Sequence, residues 1–327
     1  MKIRWPILMV LLLTTSLVQA EDRCNELIES EARRLNHTVA LIHEGSRARA
    51  AHGIELEKPR DEFQAVTDNF RQRMAPCHEA ETHRSLSPEA LKALYEAAFT
   101  TSFYTADPVA ADVMLSLSSE QARRDNTRDE PSTPDASHFQ QSWWAALDAR
   151  RFDEAAEFYA QHHEQIDNPL ADDHPQRVSE TEAHPIRLLQ TDHEEAGIRL
   201  LKDGVDLTGR WVVASVSTAC HFSARALDYI DALDASDYPG ERLLLVSGQR
   251  GTGRPLTGIA DWNREATQAV IAIAWQNAEW PETVAFSATP VFFFLEEGEL
   301  QDRRRGWPSD EHGAELLKDI RAFLGRD

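Results

Sequence analysis

From Glu21 to about Gln165, apolar side chains recur at three- and four-residue spacing. Leu91, Leu94, Tyr95, Ala98 and Phe99 are an example, and the spacing predicts amphipathic helices. Ser87–Pro88–Glu89 supplies a helix start, with Ser as N-cap and Pro at the first helical position. Strand-like alternation is absent from this half. Trp143 to Tyr159 reads as two helices around an Arg-Arg-Phe-Asp turn, with small and aromatic residues where the helices would pack. Residues 120–137 and 167–185 are polar and proline-bearing and predict exposed loops, the second marking a domain boundary.

Past residue 186 the pattern changes. Trp211–Val216, Arg242–Val246 and Val291–Leu295 are short apolar runs that predict buried strands. Glu297–Gly298–Glu299 turns the third run back into Leu300–Arg304. Helical patterns cover Ser223–Leu233, Asp261–Asn277 and Glu311–Leu324; in the second, Ala266, Val270, Ile273 and Ala274 would share a face. Strands alternating with helices predict an α/β sandwich over 186–327. The expected organisation is an all-α domain over 21–166, a linker over 167–185 and this α/β domain.

The first twenty residues follow a different logic. Lys2 and Arg4 precede an unbroken apolar run, Ile7–Leu13, and Val18–Gln19–Ala20 places small residues before Glu21. That is the pattern of a secretory signal peptide. The run is short of the roughly 20 residues a membrane span needs, and no other segment is apolar enough. Only five of the 34 basic residues are lysine, a bias that suits a GC-rich bacterial genome. The expected location is therefore the periplasm. With 34 basic against 55 acidic residues the formal charge is −21, which argues against binding nucleic acid or an anionic membrane surface.

Three cysteines in 327 residues are too few for a disulfide scaffold, and an odd number leaves one thiol over. Cys24 and Cys77 lie in the helical half. In an oxidising compartment they predict a structural disulfide, the alternative being that one of them serves Cys220 as a second thiol. Cys220 stands where the first strand gives way to a helix, in Ser217–Thr218–Ala219–Cys220–His221–Phe222–Ser223. A thiol there faces unpaired backbone N–H groups and the positive end of the helix dipole, which favour the thiolate. About seventy residues on, Thr289–Pro290 opens a strand that is otherwise apolar throughout. Proline at the start of a central strand needs a reason, and a cis bond facing the cysteine supplies one.

The order strand, Cys-x-x-Ser, helix, strand, helix, Thr-Pro strand, glycine turn, strand, helix resembles the thioredoxin superfamily. The resemblance covers about residues 186–327. It implies a thioredoxin-like fold, with Cys220 as nucleophile, Ser223 at the position of the resolving cysteine, and Thr289 and Pro290 as the substrate-docking loop. Three departures qualify it: Ala219 replaces the aromatic residue of many members, no acid is placed as a buried proton acceptor, and Ser223 cannot close a disulfide within the turn. A single cysteine can still attack a disulfide and hold a mixed disulfide until another thiol resolves it. It can also be capped by glutathione or oxidised to a sulfenic acid. His221 is a further candidate, supporting the thiolate by its partial positive charge.

The Trp143–Tyr159 hairpin is similar to a single tetratricopeptide unit, without evidence of a repeat array. Thirteen histidines raise the question of metal. The densest groups, Cys77–His78 with His83 and His162–His163 with His174, lack the spacing of a closed zinc site and predict solvated surface. Gly248 to Gly253 lacks the Lys-Ser/Thr of a phosphate loop. No metal or cofactor is expected. Two functions are in view: thiol–disulfide exchange on protein thiols or disulfides, or a non-catalytic binding module that has lost its redox pair and recruits a partner.

Overall fold

The computed structural model describes residues 6–51, 63–127, 136–170, 176–177, 185–194, 197–248, 254–286 and 288–325. The chain forms two compact units that divide between Ala149 and Arg150, ahead of the 167–185 stretch. The stretch 1–20, read from sequence as a signal peptide, has no described side chains, and the glycine-rich stretch after Gly248 lies outside the described residues. Among the described residues, no helix is long and apolar enough to cross a membrane.

The first unit is helical. Helix α1 runs Pro6–Ala51, α2 Gln64–Arg73, α3 Ala80–His83, α4 Pro88–Thr105, α5 Pro108–Asp125 and α6 Ala136–Asp148. On α1 the buried positions are Cys24, Ile28, Ala32, Leu35 and Val39, a three-to-four-residue period that lays one stripe on the core. Phe70, Leu94, Met114 and Leu117 meet that stripe. Ser87 caps α4 by accepting the N–H of Ala90 at 3.1 Å. Asp107 does the same for Ala110 at the start of α5, and its other oxygen takes the Arg71 guanidinium at 2.7 Å. Cys24 and Cys77 are joined in a disulfide, and both are buried.

Two sequence expectations are corrected here. Residues 120–125 are the last turns of α5, not a loop, because Glu120 is buried and holds Arg123 and Arg124 at 2.7 Å. His78 and His83 are not a solvated face. The His83 ring is fully buried, one nitrogen on the Ser116 hydroxyl and the other on the Cys77 carbonyl, and His78 stacks on Phe70. Burial, the largest cause, lowers the pKa of both, that of His78 to about 4.

The second unit contains α7 (Phe152–His162), then β1 (Gln176–Arg177), β2 (Ile186–Glu194), β3 (Gly197–Val205) and β4 (Arg210–Ser215). Helix α8 (His221–Asp231), β5 (Leu243–Ser247), α9 (Arg254–Glu265), β6 (Ile271–Ala274), β7 (Val291–Glu296), β8 (Glu299–Arg305) and α10 (Asp310–Leu324) complete it. The strands form one sheet in the order β1-β3-β2-β6-β5-β4-β7-β8. Strands β4, β5 and β6 are parallel, and β7 runs antiparallel to β4 with Ser215 opposite Val291. Both faces of β7 are covered, which is why it reads as a continuous apolar run. Phe292 and Phe294 face Trp307 and Phe323, while Val291, Phe293 and Leu295 join Val284 and Phe286 in a second layer.

Helix α7, grouped by sequence with the helical half, belongs to this unit. The Arg150 guanidinium donates to the carbonyls of Ala274 and Trp275, and Phe152 packs on the Trp275 ring. The predicted hairpin Trp143–Tyr159 therefore straddles the division between the units. Nor does a helix run over Asp261–Asn277: α9 ends at Glu265 and Ile271–Ala274 is strand β6, buried at every position. An apolar run that is buried all round has no period to separate helix from strand. The stretch 167–185 is not wholly loop either, since Gln176 and Arg177 pair with β3 and Leu170 bridges Ile198.

Candidate active site at the end of the central strand

Strand β4 is flanked by parallel β5 and antiparallel β7, so the carboxyl end of β4 and the amino end of β7 lie side by side. The chain leaves β4 through 216–219 into α8, and enters β7 through 288–290. Cys220 and the Thr-Pro pair are thus brought together although 69 residues separate Cys220 from Thr289. The Thr289–Pro290 bond is cis. The Cys220 sulfur lies 3.2 Å from the Thr289 carbonyl oxygen, a distance at which the thiol donates to it.

Cys220 is the N-cap of α8, with extended backbone, and its carbonyl accepts the first helical bond from Ala224 N–H at 2.9 Å. The sulfur is partly buried. Burial is the largest influence on its pKa and raises it. Hydrogen bonds from the Thr289 side chain, the backbone N–H groups of Ser223 and Phe222, and the Ser223 side chain outweigh burial, leaving the pKa below the ordinary thiol value. The printed contact with Thr289 is through its carbonyl, which accepts from the thiol, while its side chain is among the groups that lower the thiol's pKa.

Ser223 is fully buried, and among the described residues its Oγ has no hydrogen-bond partner. A buried hydroxyl in that condition is costly unless an acceptor appears. The Ser223 side chain is among the groups that favour the ionised sulfur. His221 is placed differently. It stands at the solvent on the first turn of α8, its ring edge against Phe222. Phe222 is itself 50% exposed, so the surface next to the sulfur is partly apolar. Gly258 of α9 lies against Thr218, where a Cβ would come within 2.8 Å of the Thr218 hydroxyl. Cys24 and Cys77, bonded to each other, present no second thiol in this state.

One residue of the arrangement escaped the sequence reading. Ser215, fully buried at the end of β4, donates from Oγ to the carbonyl of Ala288 at 3.1 Å. The signal was present: a lone hydroxyl in the apolar run Trp-Val-Val-Ala-Ser-Val must find a partner when buried.

No family model matches the chain, and no curated protein matches it. A solved thioredoxin-like protein from Bacteroides caccae ATCC 43185 is similar at 12% identity, over 81% of this chain and 85% of that one. Its TM-score of 0.24 is too low for the superposition to carry any argument about the site.

Proposed function

We propose that this chain is an exported, thioredoxin-like protein that carries out thiol–disulfide exchange through Cys220. The observation that carries the reading is the Cys220 sulfur at the N-cap of α8, 3.2 Å from the residue that opens the cis Thr289–Pro290 bond. In the first step the ionised sulfur attacks a disulfide of a partner protein. A bond forms between Cys220 and one partner sulfur, the partner's S–S bond breaks, and its other sulfur leaves as a thiolate. A second thiol, from the partner or from glutathione, then attacks the mixed disulfide and releases the Cys220 thiolate. Ser223 supplies a hydrogen bond to the sulfur and cannot resolve the intermediate. Thr289 and Pro290 form the edge on which the partner docks. Export to the periplasm agrees with the Cys24–Cys77 disulfide, which persists in an oxidising compartment.

The test is the rate of Cys220 alkylation from pH 5 to 8, with the intact mass of protein purified without reductant. Reaction faster than free cysteine below pH 7, and a mixed disulfide on Cys220, are expected. Alkylation no faster than free cysteine overturns the mechanism. The exposed Phe222 beside the sulfur, with serine in place of a second thiol, favours a non-catalytic binding role as the rival. A Cys220→Ala variant that captures the same partners would support that rival.

A further inference from the structure

We propose that Ser215 is a positioning residue, whose buried hydroxyl sets where Thr289 stands against the Cys220 sulfur. The proposal rests on the reading of Cys220 as the reacting group. Three consecutive carbonyls of the 288–290 loop each have one partner. Ala288 accepts from Ser215 Oγ at 3.1 Å, Thr289 from the Cys220 thiol at 3.2 Å, and Pro290 from Gly306 N–H at 2.9 Å. Two of these anchors belong to the scaffold: Ser215 ends β4, and Gly306 follows β8. The middle contact is with the reactive group.

The Thr289 peptide is therefore suspended between two fixed points, and its aim at the sulfur depends on both. Regular pairing of β4 with β7 stops at Ser215 opposite Val291, so no backbone ladder bond replaces the Ser215 hydroxyl at Ala288. The bland alternative is that Ser215 satisfies a core carbonyl and no more. That role would change stability and leave the thiol alone. The positioning role alters the thiol, because the Thr289 hydroxyl is one of the groups that favour the ionised sulfur.

The experiment compares Ser215→Thr with Ser215→Val in the full chain, two side chains of one shape that differ in the hydroxyl. The readout is the pH profile of Cys220 alkylation by iodoacetamide. Ser215→Thr should keep the wild-type midpoint. Ser215→Val should raise the midpoint by about half a pH unit, roughly a three-fold slower reaction at pH 6. Coincident profiles overturn the proposal. If Ser215→Val does not fold, Ser215→Ala is measured beside Asn263→Ala, which breaks the link from α9 to Ile271. A shift in Ser215→Ala alone supports positioning; no shift, or an equal shift in both, overturns it. A wild-type midpoint equal to that of free cysteine would instead count against the proposed chemistry of Cys220, while the difference between the variants would still be read.

Discussion

The Cys220 sulfur lies 3.2 Å from the Thr289 carbonyl, to which the thiol donates, and the Thr289 side chain is one of the groups that lower the pKa of that thiol. Removing only the hydroxyl should therefore act on one protonation state. In Thr289→Val the carbonyl remains and the donor is lost, so the thiol pKa rises toward its ordinary value. The expected result is an alkylation rate at pH 7 lower by roughly three-fold, with the rate at pH 10 unchanged. A stopped-time alkylation series across that range checks it, and an unchanged rate at pH 7 would remove Thr289 from the list of groups that activate the sulfur.

In the helical unit, the Cys24–Cys77 disulfide ties α1 to the turn after α2 across a sequence separation of 53 residues. Both cysteines are buried, so the bond acts on a packed region. On the chain-entropy account, a closed loop of that length stabilises by about 4 kcal/mol. The double variant Cys24→Ser, Cys77→Ser should lower the urea midpoint of this unit and leave Cys220 alkylation as in wild type. Equilibrium unfolding followed by helical circular dichroism, with alkylation as the second readout, measures both.

Acid should weaken the same unit in two stages. His78 is held neutral, with a pKa of about 4 against 6.5 for the free group. The unfolded chain binds that proton first, so stability is complete above pH 6.5 and falls as pH drops toward 4. His83 contributes in the same direction. Glu120 follows lower down. Its hydrogen bonds from Arg123 and Arg124 hold it at about 2 against 4.5, so the ion pair's contribution is present above pH 4.5 and lost on the way to 2. In Glu120→Gln the lower stage should flatten while the upper stage persists. Urea unfolding at half-unit steps from pH 7 to 2 separates the two.

Legibility from sequence followed how local the signal was. The start of α4, helix α10 and strands β4, β5, β7 and β8 are readable to within a residue or two, because caps, apolar runs and turns adjoin one another. Hairpin β2–β3 was not readable: Arg187, Arg199 and Lys202 interrupt its apolar positions, and only pairing with β6 and β1 makes it part of the sheet. Strand β6 failed for the opposite reason, being apolar at every position. The site divided in the same way. Cys220 at a strand–helix junction and Pro290 at the head of a buried strand are local features. Ser215 gains its meaning only when β4 lies beside β7, and the burial of His78 and His83 only when α2, α3 and α5 pack.

Behind the site, Gly313 of α10 faces the Trp307 indole so closely that a Cβ would come within 2.1 Å of the ring. Trp307 is fully buried, with its ring against Tyr229 of α8 and Phe292 of β7. It cannot move aside without displacing α8, which Cys220 caps, or β7, which follows Pro290. Gly313→Ala adds a single methyl and would, on an open helix surface, stabilise by removing backbone freedom from the unfolded chain. Here overpacking should win, at a cost of about 1–3 kcal/mol. The sign is the test. A lower thermal midpoint with a red-shifted tryptophan emission supports a rigid Trp307 wedge, and a higher midpoint would mean that α10 can lift off the sheet without loss.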